Sequence, residues 1–279
     1  MTLLPLLILL FGVVEQEEKE IQQRMEKEIQ GTLKKMSSEL FALLESQRSL
    51  ALGFSRAPIV ERFAKNSLTL PGKQYQNQAQ LLSKYFFEYQ AAIPSIQALR
   101  FIEPGGKSLV KVKEGKPIEP IFYDKNINRY YVADQSSKEF FQSAIQSNTE
   151  VDISNFELGQ VTEDADFCPA MLRYSVLMRD GEKLLGILVL NIWGTRIDNI
   201  VEATLGGTSR NAYIVELSEN KDRDGIYLYH KNTEQRFANQ LGSHFRMSTN
   251  ITESNWNKIK LSGETGVIME RDERIFFYQ

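Results

Sequence analysis

Met171-Leu-Arg-Tyr-Ser-Val-Leu-Met178, followed by Arg179-Asp-Gly-Glu-Lys183 and Leu184-Leu-Gly-Ile-Leu-Val-Leu-Asn-Ile-Trp193, is the stretch that decides the fold. The first segment is apolar and rich in strand-forming residues, the second is polar with Asp-Gly at its centre, and the third is almost continuously apolar. Asp-Gly provides the positive φ of a tight turn, and a continuous apolar run suits a strand covered on both faces. The stretch therefore predicts a β-hairpin in the middle of a sheet.

Two more elements precede this hairpin. Ile96-Gln-Ala-Leu-Arg-Phe-Ile102 and Ser108-Leu-Val-Lys-Val-Lys113 predict a second hairpin, because the two segments are strand-like and a Pro-Gly-Gly turn separates them. Residues 137–145 predict a short helix with one apolar side. The residues that would cap this helix are Asp134, Ser136 or Ser137.

This order of segments resembles the extracytoplasmic double Cache (PDC, PAS-like) sensor domains of bacterial transmembrane signalling proteins. Those proteins include sensor histidine kinases, diguanylate cyclases and chemoreceptors. The resemblance implies an α+β chain in which a long N-terminal helix precedes two PAS-like domains, each an antiparallel sheet with covering helices. The segments that carry it are Asp134-Gln-Ser-Ser-Lys-Glu-Phe-Phe141, Val151-Asp-Ile-Ser154, Pro169-Ala-Met-Leu-Arg-Tyr174, Gly181 and Gly186-Ile-Leu-Val-Leu-Asn191.

The chain divides into four predicted segments. Residues 1–14 are uncharged and apolar before Glu15 but shorter than the ~20 residues that span a bilayer, so they predict the outer part of a transmembrane helix. A signal-peptide remnant and an interfacial helix are the alternatives. Residues 15–66 predict a long stalk helix, 67–205 a membrane-distal Cache domain, and 206–279 a membrane-proximal Cache domain truncated within its sheet.

The stalk helix has a single apolar stripe on a charged surface. Such a stripe requires one partner, which is either a second copy of the helix, giving a homodimer, or the flank of its own domain. The residues of the stripe are Ile21, Met25, Ile29, Leu33, Met36, Leu40 and Leu43.

Composition argues against several functions. A net charge of −3 provides no basic surface for nucleic acid. The single cysteine, Cys168, and the two histidines, His230 and His244, are too few for a disulfide framework or the usual metal clusters. We interpret Cys168 as a semi-buried thiol and expect neither cofactor nor metal. No nucleophile elbow or paired-carboxylate motif is present, so no catalysis is expected in this segment. For the full-length protein, a histidine kinase and a diguanylate cyclase remain open as outputs.

The resemblance implies a small-molecule site between the distal sheet and its covering helix. In amino-acid-binding double Cache receptors this helix resembles Arg-x-Trp-Tyr, whose arginine grips the ligand carboxylate. Lys138-Glu-Phe-Phe141 stands in the corresponding place, and lysine retains the charge without the bidentate fork. The aspartate that those receptors use for the α-amine has no counterpart in residues 154–159, so a carboxylate or other anion is favoured over an amino acid.

The candidate ligand-binding residues come from strand, helix and loop. Arg173 is notable because a charge inside an apolar strand is costly unless paired, with the ligand, Asp152 or Glu157 as partner. Asp134 could be only a helix cap, Lys138 a solvated residue and Phe141 ordinary core. The full set is Arg100, Tyr123, Tyr131, Asp134, Lys138, Phe141, Ser154, Arg173 and Tyr174.

The expected function is ligand sensing outside the bacterial inner membrane, with the signal passed through the proximal domain and the stalk. The alternative is a periplasmic module that binds a partner protein rather than a small molecule.

Overall fold

The computed structural model describes residues 3–159, 169–207, 210–263, 265–271 and 273–279, with side chains from residue 14 onward. Cys168 lies outside the described residues. The chain forms two compact units. We call Ala42–Asp198 the sheet unit, and the residues up to Phe41 together with Asn199–Gln279 the split unit.

The first helix, α1, covers Leu3–Ser55 and contributes to both units. The next helix, α2, covers Pro58–Asn66, with Ala57 at its N-cap position. The chain divides into two helices here because proline is tolerated in the first turn of a helix but not in its interior. The helical region predicted for residues 15–66 is therefore two helices. Within the described residues, no helix combines the length and the apolar character needed to cross a bilayer.

The helices and strands of the sheet unit after α2 are α3 Gly72–Ala92, β1 Ile96–Ile102, β2 Lys107–Lys113, β3 Lys116–Pro117, β4 Phe122–Asp124, β5 Arg129–Tyr131, β6 Ala133–Asp134, α4 Glu139–Gln146, β7 Val151–Ile153, β8 Glu157–Leu158, β9 Ala170–Asp180 and β10 Lys183–Trp193. Eight of the described strands form an antiparallel sheet in the order β3-β2-β1-β10-β9-β7, with β6 beside β2 and β8 beside β9. The other two, β4 and β5, form a separate hairpin.

The predicted central hairpin is confirmed as β9 and β10. Asp180 pairs with Lys183, and Gly181 between them has φ +59°. β10 lies between β1 and β9, and helices cover both faces of the sheet, which explains its continuous apolar sequence. The α+β class and the antiparallel sheet follow the prediction.

The two faces of the sheet pack against different helices. One face forms the main core with α2, α3 and the end of α1, and the other carries α4. The large buried residues of the main core include Phe54, Phe63, Phe86, Phe101, Tyr174 and Leu188. On the α4 side, the buried cluster is Ile102, Phe140, Phe141, Ala144, Ile187 and Val189.

The start of α4 differs from the sequence prediction. Lys138 occupies the N-cap position and no side chain caps the helix. Asp134 instead accepts a hydrogen bond from the backbone N–H of Ser136 at 2.9 Å and pairs with Lys107. Asp134 is unavailable as a cap because it belongs to β6, which pairs with β2.

The split unit contains two described antiparallel strand pairs and several short helices. β11 pairs with β12, and β13 pairs with β14. The bounds are α5 Thr195–Leu205, which crosses the boundary between the units, β11 Ile214–Val215, β12 Tyr227–Tyr229, α6 Ala238–Leu241, α7 Met247–Asn250, α8 Glu253–Ser262, β13 Gly266–Glu270 and β14 Glu273–Phe277.

The apolar stripe of α1 divides into two parts. Met36 and Leu40 belong to a core cluster of the split unit together with Val201 and Tyr229. Nearer the N-terminus, Ile21 is 57% exposed and Met25 is 48% exposed. The C-terminal part of the stripe therefore packs within its own unit, whereas the N-terminal part remains available for another partner.

Replacing Gly186 by alanine should destabilise the sheet unit by about 1–3 kcal/mol. An added Cβ would lie 2.4 Å from Cζ of Phe101 and 2.7 Å from the carbonyl oxygen of Ile102, so the β1–β10 contact must open. Gly53→Ala is the matched control, because no atom lies within 4 Å of its added methyl group. Urea unfolding of both variants checks this, and equal stability of the two would contradict the packing described.

Candidate ligand-binding site

The face of the sheet beneath α4 carries two adjacent rows of residues that are mostly polar. Directly opposed residues of antiparallel strands point to the same face. In the first row, Lys111 is opposite Arg100, and Ser175 is opposite Asp152. In the second row, Asn191 is opposite Arg173. We call the set Arg100, Lys111, Asp152, Arg173, Ser175 and Asn191 the polar face.

Two arginines of the polar face contact the same aromatic ring. The guanidinium carbon of Arg100 lies 5.8 Å from the ring centroid of Phe140, and that of Arg173 lies 5.4 Å from it. Phe140 is buried on α4, so the helix places an aromatic face over two cations. Such cation–π contacts offset part of the cost of removing the charges from water.

Arg100 is buried, and the described residues offer no acceptor for its charge. Its Nε has no hydrogen-bond partner, and no carboxylate lies within ion-pair distance of the side chain, among the residues that the structure describes. Burial, and then the nearby charge of Arg173, lower the pKa of Arg100 to about 10. The guanidinium is still charged at neutral pH. A buried cation without a partner is costly, so an anion bound here would stabilise the site.

Lys111 adds a second, partly buried cation. Burial, followed by the charges of Arg100 and Lys113, lowers its pKa to about 8. No carboxylate in the described part of the chain forms an ion pair with it. Because Lys111 and Arg100 face each other across β1 and β2, their repulsion persists until a negative group enters between them.

The remaining groups of the polar face are partly satisfied. Arg173 forms an ion pair with Glu157 at 3.0 Å, so Glu157 rather than Asp152 is its partner. Asp152 accepts a hydrogen bond from Ser143 through Oδ1 at 3.1 Å. The buried atoms left without a partner among the described residues are Oδ2 of Asp152, Oγ of Ser175 and Oδ1 of Asn191. Of these, the Ser175 hydroxyl can donate to an anion beside the cations, whereas the Asp152 and Asn191 oxygens can only accept from a donor group of a ligand.

The structure brings four of the predicted residues to this region. Arg100 and Arg173 belong to the polar face itself. Ser154 follows β7, and its Oγ accepts a hydrogen bond from the backbone N–H of Arg173 at 3.0 Å. Phe141 lies in the apolar cluster that holds α4 on the sheet.

The other five predicted residues lie elsewhere. Tyr174 follows Arg173 and therefore points to the opposite face, where it is fully buried in the main core and burial raises the pKa of its hydroxyl. Tyr123 and Tyr131 belong to the β4–β5 hairpin, where the Tyr123 hydroxyl donates to Oδ1 of Asn128 at 2.6 Å. Lys138 is exposed at the start of α4.

Asp134, the last of the five, forms a surface ion pair with Lys107. Its hydrogen bonds from Lys107 and Ser136 lower the pKa of the carboxyl to about 2. Lys107 in turn lies 5.1 Å from the ring centroid of Tyr131. Asp134, Lys107 and Tyr131 thus connect β2, β5 and β6.

Sequence analysis missed Lys111, Ser175 and Asn191 as site residues, and named Asp152 only as a possible partner of Arg173. Ser175 and Asn191 are polar residues inside strands that are otherwise mostly apolar, and this interruption was the available signal. Lys111 gave no such signal, because its strand alternates as a half-exposed strand does. Only the register places these residues side by side.

Comparison with solved structures identifies the fold. The extracellular domain of vpHK1S-Z8, a protein assigned as a histidine kinase, has a TM-score of 0.61 and 15% identity, covering 90% of this chain and 84% of that one. A domain of a sensory box/GGDEF family protein from Vibrio parahaemolyticus has a TM-score of 0.61 and 15% identity, covering 90% and 88%. The sensory domain of the Campylobacter jejuni chemoreceptor Tlp3 (CcmL) with isoleucine bound has a TM-score of 0.56 and 16% identity, covering 92% and 87%.

This chain has the fold of these sensory domains. The predicted resemblance to double Cache sensor domains is therefore confirmed at the level of the fold. No protein-family model and no curated protein sequence matches the chain.

Replacing Arg100 of this sensory-domain fold by methionine should stabilise the ligand-free protein by about 1–3 kcal/mol. The substitution keeps much of the side-chain volume and removes a buried charge without an acceptor. Arg179→Met, at the exposed end of β9, is the control and should change stability by less than about 0.5 kcal/mol. Urea unfolding in a buffer without carboxylate or phosphate measures both. Destabilisation by Arg100→Met would show that its charge is satisfied in the folded protein.

Proposed function

We propose that this chain is the extracytoplasmic ligand-sensing region of a bacterial transmembrane signalling receptor, and that its sheet unit binds a small anion on the polar face. The observation that carries this proposal is Arg100, which is buried, charged and without an acceptor among the described residues. Arg173 and Lys111 add positive charge beside it. A folded protein keeps such an arrangement when a ligand supplies the missing negative charge.

A carboxylate suits the chemistry of this face. Guanidinium groups donate two parallel hydrogen bonds to the two oxygens of a carboxylate, which a spherical anion cannot accept in the same way. The Tlp3 sensory domain, which shares the fold, was crystallised with isoleucine, and isoleucine carries a carboxylate. For this chain we propose a carboxylate as the ligand group, with another oxyanion as the alternative.

The strand that carries Arg173 gives a route by which binding could be transmitted. Arg173 faces the ligand side, whereas its neighbour Tyr174 lies in the main core together with Ala51 and Phe54 of α1. A shift of β9 on binding would therefore alter the packing around the end of α1, a continuous helix that begins at Leu3. Signalling requires that the ligand bind one arrangement of this packing better than another.

The proposal includes attachment to the inner membrane through the apolar N-terminal segment, with the rest of the chain on the periplasmic side. It also includes a homodimer through α1. Ile21 and Met25 are exposed one helical turn apart, where a second copy of the helix could cover them. These parts rest on sequence pattern and exposure, and are separate from the ligand site.

A small anion should raise the melting temperature of the protein. The probes are acetate, pyruvate, succinate, citrate, isoleucine and inorganic phosphate, each measured by thermal shift at matched ionic strength. A ligand at 100 times its Kd stabilises the folded state by about 2.7 kcal/mol. Arg100→Met should abolish the shift, while Arg179→Met should retain it. If none of the probes raises the melting temperature, small-anion sensing loses its support and a partner-protein module becomes the better account.

Affinity for the anion should fall as the pH rises from 7 to 9. The pKa of Lys111 is lowered to about 8, so its ammonium group is mostly charged at pH 7 and mostly neutral at pH 9. The bound anion favours the charged form of Lys111, and if binding raises the pKa of Lys111 by about one unit, the affinity should decrease about fivefold between pH 7 and pH 9. Isothermal titration checks this. Lys111→Met should remove the pH dependence and the exposed-residue control Lys183→Met should keep it, whereas a flat wild-type profile would exclude Lys111 from the site.

A further inference from the structure

The sheet unit contains a cavity of about 500 Å³ outside the polar face. It lies between α3, strand β2 and the β4–β5 hairpin. The volume is within the usual range for small-molecule sites, roughly 300–1,000 Å³. We call it the tyrosine groove, and the lining residues that matter below are Tyr75, Gln76, Gln80, Ser83, Tyr123 and Tyr130.

Aromatic rings form one wall and the base of the groove. Tyr123 and Tyr130 are directly opposed on β4 and β5, and their ring centroids are 5.0 Å apart. They are 48% and 54% exposed, so about half of each side chain faces water. Tyr75 is buried, with the guanidinium of Arg129 4.3 Å from its ring centroid. A ligand with a flat apolar face would cover the exposed rings and gain their burial.

The opposite wall offers uncharged hydrogen-bonding groups. Gln76, Gln80 and Ser83 are spaced by four and three residues, so they lie along one face of α3. In the described part of the chain, none of the three side chains has a hydrogen-bond partner. The groove therefore pairs an aromatic wall with amide and hydroxyl groups that are free to bind a ligand.

The charges around the groove do not select a charged ligand. Arg129 donates to the carbonyl oxygens of Ser67 at 2.7 Å, Leu70 at 2.7 Å and Asn128 at 2.8 Å, so its guanidinium is occupied. The other lining residues of a charged type are Glu119, which is exposed to water, and Lys111. The side chain of Lys111 belongs to the polar face on the other side of the sheet.

We propose that the tyrosine groove binds a neutral saccharide of one or two pyranose rings. A pyranose ring presents an apolar C–H face, which stacks on a tyrosine ring, and a rim of hydroxyl groups, which bond to amides and hydroxyls. The groove has both surfaces and the corresponding volume. This inference is independent of the anion site, because the two sites use different side chains and different ligand chemistry.

The test is saturation-transfer difference NMR, followed by isothermal titration, on the 279-residue chain in a detergent without a sugar headgroup. The probes are glucose, N-acetylglucosamine, maltose and sucrose, with sorbitol as a polyol that has hydroxyl groups but no ring face. At least one pyranose should bind with saturation transfer to its ring C–H protons, and sorbitol should not bind. No binding by any of the four sugars, or equal binding of sorbitol, would overturn the proposal.

Paired variants locate the bound sugar. Tyr130→Ala should weaken binding about tenfold, while Phe122→Ala, an equally exposed aromatic of the same hairpin outside the groove, should leave it unchanged. Gln80→Ala should weaken it, whereas Gln74→Ala, an exposed amide of α3 outside the groove, should not. Binding that survives both groove substitutions would place the sugar elsewhere and refute the proposal. All four positions are exposed, so these variants should fold.

Discussion

A guanidinium group buried in a sheet, with no counterion among the residues that the structure describes, is the constraint on which the site depends. Moving a charge out of water costs several kcal/mol unless hydrogen bonds and an opposite charge replace the hydration. Arg100 has the ring of Phe140 and little else among the described residues, and it has Arg173 and Lys111 nearby, which increase the cost. Burial of the large apolar core on the other face of the sheet offsets this cost in the stability of the sheet unit.

The sheet can carry a packed core on one face and polar groups on the other because successive residues of a strand point to opposite faces. On β9, Arg173 and Ser175 belong to the polar face, while Tyr174 and Val176 face the core. On β10, Asn191 belongs to the polar face, while Leu188 and Leu190 face the core. One face can therefore be packed for stability while the other keeps charges and unpaired polar atoms. The residues of the polar face lie on strands rather than on loops, so they are held on rigid elements.

The sequence allowed the hairpins, the central strand and the covering helix to be predicted, because each depends on local pattern. Asp180-Gly181 and the apolar run after it are signals that need no tertiary information. The site was predicted less well. Arg173 was chosen as a candidate because a charge in an apolar strand is unusual, and Arg100 as a rim residue, whereas Tyr174 was assigned to the pocket although adjacent strand residues face opposite sides.

Other residues could not be assigned from the sequence for a physical reason. Lys111 resembles any solvated lysine of an alternating strand until the register places it opposite Arg100. Asp134 resembles a helix cap until the pairing of β6 with β2 removes it from α4. Both depend on contacts between segments far apart in the chain, and a local pattern contains no information about which segments meet.

Strand β2 connects the two proposed sites. Lys111 faces the polar face, and its neighbour Val110 lines the tyrosine groove on the other side of the same strand. A ligand on either face would act on the position of one short strand with β1 on one side and the two-residue strands β3 and β6 on the other. If saccharide and anion each favour one position of β2, then each changes the affinity for the other by the same factor, as linkage requires. A sheet with a site on each face can thus combine two chemical signals through the displacement of a single strand.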